Sequence, residues 1–483
     1  MASVLVTAAV ATAVAAVPTA STAGAGKPPN FLVILVDDQA SNTFNSRFMP
    51  ETYRSIVDPG TKFVDGLAAP PLCCPDRAGI LTGQYPHDSG VFSNSPGYPS
   101  LADQEDTLPV WLRRGGYRTG FIGKFLNNSI GALAGAKAPG FDRWFATDNA
   151  SYYYNYGISD QRTRRSYGNN RHSYTTNVFT RQARQFLNPQ QHGPKPWFLW
   201  LAYNAPHDAH QGRGHCKRLD PLVNRPADYR RFAQAKLPRP PSFNEADVSD
   251  KPPPIASLPT LSLNEYDNMT RRYRCTAAAM WEVDQKIGGI MRSLRRTGAL
   301  QNTIVFYMSD NGYFFGEHRL TRGKALPYEP ALRVPYAVRV PPIYRDAAQH
   351  PVVGKVVSNV DVAPTILDYA GALPPCASAT DCRVLDGRSI RPLLGGSGEW
   401  PADRGVLAEI DSNAATYDAI RTHNYMYAEY PSGDRELYDL KTDGSELNNV
   451  VDDPAFAATR LSLAQRLEAL RHCSGTAGPL ACE

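Results

Sequence analysis

Four apolar runs in this chain stop abruptly at charged or coordinating residues, and that pattern limits the fold more than any other feature. "FLVILV" (31–36) runs into Asp37-Asp38 and "YRTGFIG" (117–123) into Lys124. "WFLWLAY" (197–203) runs into "NAPH" with His207, and "TIVFYM" (303–308) into "SDNG" with Asp310-Asn311. Short continuous apolar segments are what strands of a parallel sheet buried on both faces require. A fifth, "VPYAVRV" (334–340), reads the same way, and helical periodicity lies between the runs, clearest over 264–297 and 361–371. In open α/β sheets the ligand crevice lies beyond the carboxyl ends of the strands. Four strands therefore deliver charged or coordinating groups to one edge.

At 483 residues the chain is long enough for one large α/β domain and a smaller one. The Pro-rich stretch 237–259 is a long loop within the first, because strand–helix alternation resumes after it. Beyond residue 396 the pattern changes: "GVLAEI", "AIRTHNYMYAEY" and "RELYDL" predict a small antiparallel sheet, closed by an amphipathic helix at 455–471. The expected division is thus 27–395 and 396–483. A formal charge of +5 is mild, and no basic stripe of the kind that binds nucleic acid stands out.

Residues 4–17 form an apolar run too short to span a bilayer, followed by small residues that suit a signal peptidase, although no Lys or Arg precedes it. This predicts a signal peptide over 1–26, export, and no membrane span in the mature chain. The eight cysteines fit an oxidising compartment: 376/382 and 473/482 are close pairs, and 216/275 is an available third. Spacing alone does not fix these pairings. Cys73 and Cys74 are left over.

Asp37, Asp38, Asp310 and the Asn311 amide form an all-oxygen set that favours a hard divalent cation, Ca²⁺ before Mg²⁺. Two unrelated turns would be the plain alternative, since a lone Asp after a strand is ordinarily a cap or turn former. In "PPLCCPDRAGILTG" (70–83), Pro75 suits the first turn of a helix that Gly83 ends. Cys73 then sits at a helix N-terminus, where an anion is favoured, with Arg77 one turn on.

These residues carry a family resemblance. "CCPDRAGILTG" is similar to the sulfatase signature C-x-P-x-R followed by T-G, and "VDD", "GK", "APH", "SDNGYFFGEHRLTRGK", "YEPALRVP", "DVAPTILDYAG" and "ELYDLKTDGSELNNV" follow in sulfatase order over roughly 28–450. The resemblance implies an alkaline-phosphatase-like three-layer α/β sandwich with a central, mostly parallel sheet, and a C-terminal antiparallel sheet with a helix. It implies that a maturase oxidises Cys73 to formylglycine, whose hydrated aldehyde attacks sulfur and then expels sulfate by C–O cleavage. It also implies that Asp37, Asp38, Asp310 and Asn311, with modified Cys73, hold Ca²⁺. Arg77 would support the formylglycine, Lys124 and Lys324 would contact sulfate, and His207 would serve the leaving-group oxygen. His318 in "GEHR" is a further substrate-side candidate.

Three positions depart from the family pattern. Asp76 stands where Ser is commonest, and Leu126 where many arylsulfatases have a histidine, with Asn127 as the candidate replacement. "PHDAH" lacks a later proline and makes His210 a competitor for His207. The doublet of cysteines and "GKFLN" look most similar to N-acetylglucosamine-6-sulfatases and heparan-type sulfatases. A sulfated carbohydrate such as a glucosamine 6-sulfate is therefore the expected substrate, with an aryl sulfate as the alternative. The tyrosine-rich segment 149–174 reads as a sugar platform or as a surface loop. A phosphate or phosphonate ester hydrolase on the same scaffold, or a glycan-binding protein with unmodified Cys73, are the rival readings.

Overall fold

A computed structural model describes residues 27–188, 193–372, 384–475 and 481–482. The segment 1–26 and the pair Cys376/Cys382 lie outside the described residues. The central strand, Asn30–Val36, is buried along its whole length. Its pleat splits its side chains: Leu32, Ile34 and Val36 enter one apolar core, while Phe31, Val33 and Leu35 enter the other. The first core is closed by the helices Thr175–Phe186 and Leu263–Arg296, the second by Cys73–Thr82, Leu108–Arg114 and Val362–Ala370. A sheet covered on both faces between two helical layers results.

That sheet has ten strands, in the order Val352–Val353, Thr61–Phe63, Tyr336–Arg339, Thr303–Ser309, Asn30–Val36, Trp197–Ala202, Arg118–Lys124, Arg143–Thr147, Tyr156–Asp160 and Thr163–Tyr167. From 303–309 to 143–147 every neighbouring pair is parallel. The expected parallel strand at 334–340 is instead antiparallel to 303–309. Residues 310–335 hold a single helical turn, Glu329–Leu332, and so no crossover helix to return the chain to the far edge. The strand therefore starts from the edge at which its neighbour ends.

Most tyrosines of the segment 149–174 make neither a platform nor a surface loop, although its residues 162–172 are largely exposed. Tyr153, Tyr154, Tyr156 and Tyr174 lie in the core; Tyr153 and Tyr154 pack on the Tyr174 ring, Tyr156 stacks on Tyr167, and the segment contributes the sheet's terminal hairpin. Three of their hydroxyls are satisfied: Tyr153 donates to the His207 carbonyl at 2.6 Å, Tyr174 to the Leu222 carbonyl at 2.7 Å, and Tyr154 to Asn224 Oδ1 at 2.9 Å.

A second sheet of four antiparallel strands, Val406–Asp411, Thr416–Arg421, Tyr425–Glu429 and Arg435–Asp439, follows in simple chain order. "AIRTHNYMYAEY" supplies parts of two of these strands, joined by a turn. The helix Ala457–Arg471 covers the sheet through Leu463, Leu467 and Leu470. Buried ion pairs fasten this unit to the rest: Arg404 grips Asp361 with two bonds of 2.6 and 2.7 Å, and Arg421 Nε lies 2.7 Å from Glu329. Disulfides join Cys216 to Cys275 and Cys473 to Cys482, while Cys73 and Cys74 are free and buried. Among the described residues no helix is long and apolar enough to cross a membrane.

Candidate functional site

The strand ends 36, 124, 202 and 309 meet at one edge, and the helix Cys73–Thr82 begins there. Leu72 is extended before it, and Gly83, at φ +73°, closes it in the left-handed region that favours glycine. Cys73 is thereby the first helical residue, 2% exposed, with its Sγ 3.6 Å from Asp37 Oδ1 and 3.5 Å from Asn311 Oδ1. Asp37 and Asn311 come from two neighbouring parallel strands. Asp38 adopts φ +67°, a strained setting for a residue with a side chain, and so turns the acid pair back across the edge.

Cations interleave with these acids. Arg77, wholly buried, places Nε 2.8 Å and Nη2 2.7 Å from Asp310 Oδ2, and reaches Asp37 Oδ2 at 3.1 Å. Its remaining nitrogen donates to the Lys124 carbonyl at 2.5 Å. Lys124 Nζ lies 2.6 Å from Asp37 Oδ2, and Lys324 pairs with Asp38 Oδ1. His207 Nε2 is 3.7 Å from Asp38 Oδ2, while its Nδ1 is 2.8 Å from the Asp208 carbonyl. A carbonyl can only accept, so Nδ1 carries the proton and Nε2 faces the cluster.

Burial alone would raise the Asp37 carboxyl, but Lys124, His207, Arg77 and Lys324 outweigh it and hold the acid far below its usual range. Asp310 shifts the other way, because burial and the Asp37 charge exceed what Arg77 returns. Burial, then Asp37, pushes the Cys73 thiol far up, opposed by the lysines. A thiol so placed is a poor thiolate nucleophile. Cys74, pushed up to about 11 by burial, is spent structurally: its Sγ accepts the Asn127 N–H at 3.0 Å and its own N–H donates to Asn94 Oδ1 at 2.9 Å.

The ligand atoms of Asp37, Asp38, Cys73 and His207 all lie within 4.8 Å of one another. With Asn311 Oδ1 beside the same sulfur, and Asp310 Oδ1 accepting the Asp38 N–H at 3.3 Å, an oxygen-rich donor set converges here that fits a hard divalent cation. A polar cleft of about 490 Å³ opens above it, lined among others by Cys73, Lys124, His207, Asn127 and His210.

His318 is not part of this arrangement. It is fully buried, its Nδ1 lies 2.6 Å from Glu245, its ring packs 4.6 Å from Tyr328, and it does not line the cleft. Its place is the packing between the Pro-rich loop and the C-terminal sheet. Asn94 and Asp148, which no sequence motif marks, also line the cleft, as do Asn149 and Ser151 at the start of the segment 149–174. Asp148 follows the strand 143–147, so the strand-end rule would have found it had "RWFAT" been read as a strand. Asp76, buried behind the cysteine, receives the Asn359 amide at 3.0 and 2.9 Å, and the same amide nitrogen lies 2.9 Å from the Ser309 carbonyl. The departure from Ser thus ties the Cys73 helix to the strand that carries Asp310.

Known proteins match this architecture. The sulfatase family model matches residues 29–372, and that of the N-sulphoglucosamine sulphohydrolase C-terminal region matches 316–473. An arylsulfatase of Volvox carteri is 31% identical over 93% of this chain and 74% of its own length. The N-acetylglucosamine-6-sulfatase of Homo sapiens is 28% identical over 92% of this chain and 85% of its own. Among solved structures, a protein in complex with its substrate D-glucosamine-2-N,6-O-disulfate superposes with a TM-score of 0.72 at 23% identity, covering 92% of this chain and 97% of that one. The phosphonate monoester hydrolase of Agrobacterium radiobacter does so at 0.68 and 21%, covering 92% and 95%. The fold is thus the alkaline-phosphatase-like sandwich with its C-terminal antiparallel sheet, and the chain belongs to the sulfatase family as a sulfuric ester hydrolase.

Proposed function

We propose that this chain removes sulfate from a carbohydrate sulfate monoester such as a glucosamine 6-sulfate, using formylglycine made from Cys73. The observation that carries the reading is the position of Cys73 Sγ, between Asp37 and Asn311 on the floor of a polar cleft. The hydrated aldehyde of formylglycine supplies an oxygen nucleophile at that point. Asp37, Asp38, Asp310 and Asn311 would hold Ca²⁺, which supplies Lewis-acid polarisation of a sulfate oxygen.

The chain's own groups complete the reaction centre. Lys124 and Lys324 flank the acid pair and are held charged by Asp37 and Asp38 respectively, against burial, so they offset negative charge as the S–O bond breaks. His207, whose Nδ1–H is held by the Asp208 carbonyl, presents Nε2 to the cluster, and in its imidazolium form gives the Nε2 proton to the leaving alcohol, leaving the Nδ1–H tautomer. Arg77 fixes Asp37 and Asp310 from beneath, and Asn127 and Asp148 offer hydrogen bonds to sugar hydroxyls. The N-acetylglucosamine-6-sulfatase relatives and the glucosamine disulfate bound by the structural neighbour support a sugar over an aryl group.

Cys73 is 2% exposed and Arg77 not at all, so the maturase that converts the cysteine must act before the chain folds. Two disulfides support folding outside the reducing cytosol, in keeping with export. The test is mass spectrometry of the peptide spanning 70–85, read with turnover of glucosamine 6-sulfate, an aryl sulfate and a phosphate diester. Peptide that has lost the mass of the thiol-to-aldehyde change, and preference for the sugar sulfate, are expected. Active enzyme that holds only the thiol, or faster turnover of the phosphate diester, would overturn the reading. Cys73→Ala should lower kcat/KM by at least about 10⁴-fold, whereas Cys74→Ala spares most of it.

A further inference from the structure

The chain is not uniformly charged. Between Asp160 and Asp208 it carries seven Lys or Arg residues and no Asp or Glu. The helix Thr175–Phe186 lies in this stretch and packs on the helix Leu263–Arg296, and a groove of about 660 Å³ runs beside it. His172, Asn177, Arg181, Arg184, Gln185 and Lys286 line that groove. Among the described residues Arg181, Arg184 and Lys286 make no ion pair, although most buried acids of this protein are paired. Burial, with Arg225 and Arg184 beside it, holds the Lys286 ammonium below its usual range, only partly offset by Glu282 and Asp228. Glu282 is itself buried, with its oxygens occupied by the Asn224 and Arg225 N–H groups.

The groove is continuous in the chain with the cleft. Asn149, Ala150 and Ser151 line the cleft, and the same segment passes through the terminal hairpin to His172 and Asn177. A second basic element spans the interval: after His210, which lines the cleft, come the exposed Arg213, His215, Lys217 and Arg218. Arg213 donates to the Asn169 carbonyl at 3.0 Å, and the Cys216–Cys275 disulfide pins this loop to the helix 263–296. The helix 175–186 then runs from the edge that bears the reaction centre toward the start of the strand Trp197–Ala202.

We propose that this groove is an exosite for a sulfated polysaccharide, gripping the chain at a distance from the residue held in the cleft. Arginines with open forks suit sulfate groups, and the Asn177 and Gln185 amides suit hydroxyls. No Phe, Tyr or Trp lines the groove, so the stacking platform that single-stranded nucleic acid uses is missing there among the described residues. The exosite deepens the carbohydrate-sulfate reading and rests on it for the ligand's identity.

The experiment is a titration of Cys73→Ala protein with a fluorescently labelled heparin oligosaccharide, with and without Arg181→Gln/Arg184→Gln. Both arginines are exposed, so the double variant folds. Binding should weaken about tenfold, and the slope of log affinity against log salt should fall by about two units, one per cation removed. In the otherwise unaltered, matured enzyme the same pair should leave turnover of a monosaccharide sulfate unchanged while raising KM for the polysaccharide. Unchanged binding in the double variant would overturn the exosite, as would tighter binding of single-stranded DNA of the same length. If the matured enzyme turns over no sulfate ester, the proposed function fails, and the titration still decides the exosite by itself.

Discussion

Two buried clusters of charge differ in what opens beside them: the one at the strand ends lies under the polar cleft of about 490 Å³, while the one at the seam borders a smaller cavity of about 130 Å³. At the strand ends, Asp37, Asp38 and Asp310 interleave with Arg77, Lys124 and Lys324, and several of their atoms still point at a common space around Cys73. At the seam with the C-terminal sheet, Glu329, Glu436 and Glu446 meet Arg333, Arg421 and three tyrosines. Glu436 alone accepts from Tyr328 and Tyr438 at 2.7 Å each and from Tyr430. Glu329 lies against Arg421 and Arg333 while its N–H donates to Glu446. Burial raises the carboxyls of Asp310, Glu436 and Glu446 alike. A perturbed acid therefore does not mark a site. Donors that converge on one point beneath a roomy cleft do, because they can meet a ligand there, whereas the seam carboxylates are spent on arginines, tyrosines and a backbone N–H.

The sharpest way to break that comparison is to remove one acid from each cluster. Asp37→Asn leaves Lys124 and Arg77 short of a buried partner, and Glu329→Gln does the same to Arg421. Both should cost about 3–5 kcal/mol of stability, read by urea denaturation. Activity should separate them: Asp37→Asn loses about 10³-fold or more in kcat on a sulfate ester, while Glu329→Gln keeps the wild-type value per folded molecule. Equal losses of activity would mean that the seam is coupled to the chemistry and the distinction is false.

The strand ends were legible because a fully buried strand must be apolar throughout, so a charge marks its exit. Asp37, Lys124, His207 and Asp310 all stood out on that account. Asp148 did not, since a five-residue strand beside an edge hairpin needs no long apolar run. The tyrosines of 149–174 misled because composition shows a ring's polar handle but not the partner that lets it be buried. The direction of the strand 336–339 depended on whether a helix forms in the connection, which no single run of residues reveals. His318 shows the limit of motif order: the same motif supplies Asp310, Asn311 and Lys324 to the reaction centre, yet the His318 ring fills the space between two other elements.

The two histidines sharpen the same contrast at smaller scale. His207→Gln should lower kcat about 10²- to 10⁴-fold on a sulfate whose alcohol is a poor leaving group, with a smaller loss when the leaving group is an acidic phenol. Stability should hardly move, because His207 is partly exposed. His318→Gln should behave in the opposite way. Glu245 loses a bond inside the core, at about 1–3 kcal/mol by urea denaturation, and turnover of either substrate stays as it was. Loss of turnover without loss of stability in His318→Gln would restore it to the site.

The smallest expected effect lies at the other end of the seam and depends on pH. His87 Nδ1 sits 2.6 Å from Glu409 on the first strand of the C-terminal sheet, and Nε2 sits 2.9 Å from the Cys473 carbonyl. Burial pulls the imidazolium down, but the Glu409 carboxylate outweighs it and holds the group up at about 9. A folded-state value above the unfolded one means the native chain binds the proton more tightly. The resulting stability is complete below the unfolded value of about 6.5 and is lost as pH rises through about 9. Thermal melts of the wild type and His87→Gln between those limits should therefore converge as pH rises, because the variant has no such proton to lose. The reaction centre has no share in this pair, so turnover normalised to folded protein should show no matching change between the two proteins. Melting curves that stay a constant distance apart would mean that Glu409 holds the histidine by packing rather than by charge.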